Sequence, residues 1–260
     1  MKPFAYQAPT TVAEAVALLA DQKQRARVLA GGTDLLVQLR RGLFELDLMV
    51  DVKRIPDLTQ IAFDPVHGLT IGAAVSCAVC CESPAVREHY PGLLDAASII
   101  GGAAIQGRAT LGGNLCNAAP SADIIPPLIV LDAHAIVAGP ADTRTTVPVA
   151  AFCTAPGQTV LAQGEMLVAI RIPPPAPHTG AAYVRFTPRR EMDIACLARR
   201  EADQRGGLCR GGTKGPGRCS PHHRRARHPI PASSSGGRLS QTRAAHRRCP
   251  RPYVTLFFSL

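Results

Sequence analysis

The sequence predicts an α+β fold in two subdomains, and three observations lead there. The first 55 residues hold a strand, a glycine turn and a helix in direct succession, the pattern of a small α/β unit. Beyond Pro56 the signals change to a hairpin followed by mixed helices and strands, and both patterns stop near residue 196. With 260 residues, 46% of them hydrophobic, the chain can bury a sizeable core. The expected organisation is a small α/β subdomain over residues 1–55, a larger α+β subdomain over 56–195, and a disordered tail over 196–260.

The elements follow in order. Thr11 to Glu14 has the T-x-x-E form of a capping box, and Val12, Val16 and Leu19 then share one helical face, predicting a helix over 12–20. Residues 27–30 read as a buried strand running into Gly31-Gly32, residues 34–41 as a helix closed by Gly42, and 48–52 as another strand. A hairpin is predicted over 58–63 and 69–75, turning through Asp64-Pro65-Val66-His67-Gly68. Ser83-Pro84 suits a helix start, and 93–100 a further helix before Gly101-Gly102. Residues 107–118 are too glycine-rich to be expected as a regular helix. Residues 123–131 read as a packed helix, and 135–138, 145–149, 167–172 and 182–186 as strands.

The formal charge of +10 would point to nucleic acid or an acidic surface, but it is unevenly placed. Residues 1–198 carry 15 basic and 17 acidic side chains, whereas 199–260 carry 14 and 2. The tail thus supplies the whole excess. Its Arg-rich, patternless composition cannot offset chain entropy by burial, and a shifted reading frame is the expected origin of the abrupt change. Clusters such as His223-Arg224-Arg225 could neutralise phosphates, but aromatics for stacking are nearly absent, so specific nucleic-acid binding is not expected. No signal-peptide pattern and no apolar window of the roughly 20 residues a spanning helix needs is present, which points to a cytoplasmic protein without membrane contact.

Nine cysteines, an odd number, in a chain of this size suggest reduced thiols. Cys77, Cys80 and Cys81 form a C-x-x-C-C run, but no second C-x-x-C completes four ligands, so these are expected as small buried hydrophobes and no metal is expected. His67, His89, His134 and His178 are scattered without ligand spacing.

The residues that carry chemistry are two glycine pairs, Gly31-Gly32 and Gly112-Gly113. Binding a pyrophosphate takes several backbone N–H groups aimed at one anion, with no Cβ in the way. Thr33, Asp34, Thr110 and Asn114 flank the glycines and can bond phosphate or ribose, or pin the turns. A Gly-Gly pair alone is more often a structural turn, and neither spacing fits G-x-G-x-x-G, so a Rossmann fold is disfavoured.

The ordered blocks MKPFAYQAPTTVAEAVALL, VLAGGTDLL, IGGAAIQGRATLGGNLCNAAPSAD, GEMLVAIRIP and RFTPRREMDIA resemble the FAD-binding subunit or domain of the molybdenum hydroxylases, among them xanthine dehydrogenases and carbon monoxide dehydrogenases. The resemblance covers residues 1 to about 195 and implies an FAD-binding domain of the PCMH/VAO type. It also implies that Ala30, Gly31, Gly32, Thr33 and Asp34, with Thr110, Gly112, Gly113 and Asn114, face the FAD pyrophosphate from two sides. By the same resemblance Asp123 lies near the ribitol and adenosine side, Leu167 beside the isoalloxazine, and Arg185 near the flavin as a cation. Read from the residues alone, Asp123 could cap the helix after it, Leu167 be an ordinary core residue, and Arg185 a surface strand arginine.

In such complexes the substrate is oxidised at molybdopterin on a large partner subunit, and electrons pass through 2Fe-2S clusters on a small subunit to FAD and on to an external acceptor. The resemblance therefore implies both partners, and no catalytic acid, base or nucleophile in this chain. The resemblance stops before the family's C-terminal domain, and the tail is not expected to supply a counterpart to it. Two other readings are an enolpyruvyl-sugar reductase-like flavoprotein, which shares the A-G-G-[ST]-x-L-L turn, and an inactive remnant with a basic arm.

Overall fold

The computed structural model describes residues 2–21, 25–177 and 179–185. In chain order the elements are β1 (Ala5–Gln7), α1 (Val12–Ala20), β2 (Ala26–Leu29), α2 (Leu35–Arg40), β3 (Leu48–Asp51), β4 (Ile61–Asp64), β5 (Gly68–Gly72), α3 (Cys77–Glu82), α4 (Pro84–His89), α5 (Pro91–Ser98), α6 (Ala103–Gln106), α7 (Leu111–Asn117), α8 (Ile125–Val130), β6 (His134–Gly139), β7 (Thr143–Pro148), α9 (Val149–Phe152), β8 (Cys153–Ala155), β9 (Gln158–Thr159) and β10 (Met166–Ile172), with a 3₁₀ turn at Pro56–Leu58.

The first three strands form a parallel sheet in the order β1-β3-β2, and five later strands an antiparallel sheet in the order β4-β5-β10-β6-β7. Helix α1 starts where the capping box predicts. Thr11 accepts from the Glu14 N–H at 3.2 Å, but Glu14 reaches back one residue further than the motif suggests, to the N–H of Thr10 at 3.0 Å. Val12, Ala15, Val16 and Leu19 bury its inner face, each large aliphatic contributing roughly 1.5–3 kcal/mol.

That face packs into a cluster drawn from both sheets: Leu48 and Val50 from β3, Ala138 from β6, Met166 and Val168 from β10. On its other side β10 turns Leu167, Ile170 and Ile172 into the larger core with Leu93, Leu111, Leu128 and Phe152. Burial on both faces explains its nearly unbroken apolar sequence.

Two expectations are corrected. Residues 111–117 are helical despite their glycines, because Thr110 caps the first turn and Gly112 lies so close to Ala73 that a Cβ would come within 2.5 Å of the Ala73 carbonyl oxygen. Tertiary packing here overrides helix propensity. Residues 182–185 are not a strand; they are held by side-chain hydrogen bonds from Tyr183 and Arg185 instead of a ladder. The C-x-x-C-C run lies on α3, a helix the sequence reading missed, and β1, α6, α9, β8 and β9 also went unforeseen. The expectations for residues 196–260, and for Phe186, fall outside the described residues.

Cys77 and Cys80 are fully buried core residues whose thiols burial, reinforced by Cys81 nearby, pushes up to about 12. Since the thiolate is the reactive form, the native protein at pH 8 is expected to leave both unalkylated by iodoacetamide, with labelling only after denaturation; peptide mass mapping checks this. Among the described residues no group of three His, Cys, Asp or Glu side chains is arranged to hold a metal ion, and no helix is long and apolar enough to cross a membrane.

Candidate functional site

The chain leaves β2 at Leu29 and turns through Ala30, Gly31 and Gly32 into α2. Gly32 has φ +79°, a conformation that favours glycine. Gly31 is required for another reason: a Cβ there would lie 2.1 Å from the carbonyl oxygen of Arg108. The first glycine turn therefore rests directly on the backbone that leads into Thr110, and the two glycine segments meet at their bases.

Thr110, 3% exposed, ends the approach to α7, and its Oγ1 accepts from the Gly113 N–H at 2.9 Å. A Cβ on Gly113 would crowd that hydroxyl at 2.8 Å, so this glycine preserves the cap. Replacing Thr110 with Ala removes the cap at a cost of about 1 kcal/mol. A fall in Tm of roughly 2–4 °C in thermal melting is the expected result.

Around these turns opens a cleft of roughly 1150 Å³, somewhat larger than most small-molecule sites and roomy enough for an extended cofactor. Every one of the twelve residues singled out from the sequence lines it: Ala30, Gly31, Gly32, Thr33, Asp34, Thr110, Gly112, Gly113, Asn114, Asp123, Leu167 and Arg185. Segments as far apart as residues 30 and 185 converge there. Among the described residues the N–H groups of Gly31, Gly32, Thr33 and Asp34 donate to no protein acceptor. The Oδ1 of Asn114 is buried without a hydrogen-bond partner. Burial pushes the Asp34 carboxyl above the usual carboxylate range.

Asp123 does not cap α8, whose N-cap is Ile124 without a side-chain bond. Its carboxylate accepts from the Tyr183 hydroxyl at 2.8 Å and lies 3.5 Å from Arg185 Nε, an ion pair too poorly directed to count as a hydrogen bond. Burial, and then the bond to Asp123, raise the Tyr183 hydroxyl well above an ordinary phenol. Arg185 is not a surface arginine; its side chain is 17% exposed and its guanidinium donates to the Ile99 carbonyl at 2.9 Å. Leu167, 5% exposed, sits at the irregularity in the β10–β6 pairing and shares the larger core while lining the cleft.

Some contributors escaped the sequence reading. Gln38 on α2 donates to Asn117 on α7 at 2.9 Å, tying the helix after the first glycine pair to the helix that contains the second, and both residues line the cleft. The partners stand 79 positions apart, so no local spacing marks them. Tyr183 lies two residues ahead of the RFTPRREMDIA block and was read only as part of a strand. Taken together, the site offers backbone donors on one side, and a buried amide oxygen, a carboxylate and a guanidinium elsewhere, suited to an extended ligand with an anionic centre and hydroxyls.

Residues 2–175 match the family described as the FAD binding domain in molybdopterin dehydrogenase. The chain belongs to this family. It is 38% identical over 193 residues to the xanthine dehydrogenase FAD-binding subunit of Escherichia coli O157:H7, covering 74% of this chain and 65% of that one. It is 35% identical over 183 residues to the carbon monoxide dehydrogenase medium chain of Hydrogenophaga pseudoflava, covering 70% and 63%. The chain thus spans under two thirds of the length of these relatives. Among solved structures it resembles carbon monoxide dehydrogenase from Hydrogenophaga pseudoflava (TM-score 0.71, 34% identity, 75% and 67% covered) and quinoline 2-oxidoreductase from Pseudomonas putida 86 (TM-score 0.69, 30% identity, 75% and 66% covered).

Proposed function

We propose that this FAD-domain chain is the electron-transfer subunit of a molybdopterin-dependent dehydrogenase or hydroxylase, working in the cytoplasm with a large molybdopterin subunit and a small iron–sulfur subunit. The single observation that carries the reading is the convergence of all twelve sequence-selected residues on one cleft. FAD, when bound, supplies the electron-transfer chemistry between the partner subunits' centres and an external acceptor.

The residues fit that cofactor. Gly31 and Gly32 let the first turn close onto Arg108, Leu29 and Leu36, and the unclaimed N–H groups of Gly31 to Asp34, all in the cleft lining, suit a pyrophosphate. Thr110, Gly112 and Gly113 form the facing wall, with Thr33 beside the first turn. Asn114 has a buried oxygen in need of a donor, which a sugar hydroxyl supplies. Asp123, Leu167 and Arg185 line the same cleft; with FAD bound, Asp123 would accept from sugar or ribitol hydroxyls, Leu167 would offer an apolar surface to the isoalloxazine, and Arg185 would supply a cation.

The test is to purify the chain and record its visible spectrum. A yellow protein that releases one FAD per chain on heating is expected. A colourless protein that takes up no FAD from solution rejects the proposal. Co-purification with molybdenum-containing and iron–sulfur subunits tests the assembly.

A further inference from the structure

We propose that Lys53 is a positioning residue for the first glycine turn: its ammonium, held by Asp51, grips the Ala30 carbonyl and so aims the Gly31 N–H into the cleft. This rests on the FAD reading above.

The observation is a polar chain that links all three parallel strands. Asp51, at the end of the central strand β3, is one of few buried charged side chains among the described residues. Tyr6 on β1 donates its hydroxyl to Asp51 Oδ2 at 2.6 Å, and the Lys53 N–H and ammonium reach Oδ1 at 3.0 and 2.8 Å. The same ammonium donates to the Ala30 carbonyl at 3.2 Å, just beyond β2. Desolvation pushes the Asp51 carboxyl up, but the bonds from Lys53 and Tyr6 outweigh it and hold the group below the usual range. Lys53 is therefore fixed by an ionised partner.

The peptide plane converts that grip into an orientation. In a trans peptide the C=O and the next N–H point in opposite directions, so a carbonyl of Ala30 turned to Lys53 sends the Gly31 N–H away from it. Gly31 lines the cleft, and its N–H has no protein acceptor. A cation on the carbonyl also polarises the peptide and strengthens that N–H as a donor. Glycine has the loosest backbone of any residue, so a turn of two glycines gains most from an outside constraint.

The experiment titrates flavin-free full-length chain with FAD, followed by fluorescence quenching, and records the melting temperature of the flavin-free protein alongside. Lys53→Met is expected to weaken FAD binding about tenfold, the scale of one hydrogen bond to a charged group, and Lys53→Arg to restore most of it. The double variant Asp51→Asn/Lys53→Met leaves no unpaired buried charge. It is expected to melt like the wild type while binding FAD as weakly as Lys53→Met. Wild-type affinity in Lys53→Met or in the double variant overturns the positioning role, as does a loss of affinity that only tracks a loss of melting temperature. A wild-type chain that takes up no FAD is a different result: it overturns the flavin reading and the role of Lys53 with it.

Discussion

A Gly31→Ala chain is expected to lose its FAD and several degrees of thermal stability together. The added methyl would lie 2.1 Å from the Arg108 carbonyl oxygen and 2.8 Å from its carbon, and both are backbone atoms that no side-chain rotation can move aside. Overpacking of this kind costs about 1–3 kcal/mol. The larger effect is on the ligand, because the methyl wedges the first turn away from the segment leading to Thr110 and displaces donors that must stay within hydrogen-bond reach of one anion. Gly42→Ala is the control. That residue has a left-handed φ of +70°, unlike Gly31, and nothing within 4 Å of its would-be Cβ, so it should cost about 1–2 kcal/mol and leave flavin content unchanged. Flavin content and Tm measured on both variants decide the matter: wild-type FAD content in Gly31→Ala would refute the contact as the foundation of the site.

The second large effect is expected at Asp123. Asp123→Ala strands two partners at once, the Tyr183 hydroxyl and the mostly buried Arg185 guanidinium, and removes a carboxylate from the cleft. A loss of about 2–4 kcal/mol follows from leaving a buried donor and a buried charge uncompensated, accompanied by weaker FAD binding. Tyr183→Phe deletes one hydrogen bond only and should cost about 1 kcal/mol. If Asp123→Ala melts no lower than Tyr183→Phe, the carboxylate does not anchor this segment. Alkaline pH offers an independent check on the same pair. The native Tyr183 hydroxyl holds its proton to higher pH than in the unfolded chain. Its contribution is therefore complete below the ordinary tyrosine value of about 10 and is lost as pH rises beyond it. Tyr183→Phe should show a shallower alkaline fall in Tm than the wild type.

What could be read from the sequence was whatever is encoded locally. The capping box gave the start of α1, and the strand–glycine–helix order gave the turn at Ala30 to Asp34, since both depend on residues within one or two turns of each other. The second glycine segment was misjudged because its helical state is decided from outside, by Thr110 over Gly113 and by Ala73 against Gly112. The same limit hid Lys53, whose importance lies in a carbonyl 23 positions upstream, and the Gln38–Asn117 bond. Asp123 and Arg185 were selected by family resemblance, and neither the cap nor the surface position that their local context suggested is what the fold gives them.

The helix α1 carries a final consequence. Its buried face is shared by β3 on one side and by β6 and β10 on the other, so the parallel and antiparallel sheets do not own separate interiors. Swinging one away from the other to admit a ligand would bring Val16, Val50 and Val168 into water, a penalty that close-packed interiors resist. Opening the cleft by parting the two sheets would therefore come at the expense of an interior that both of them share.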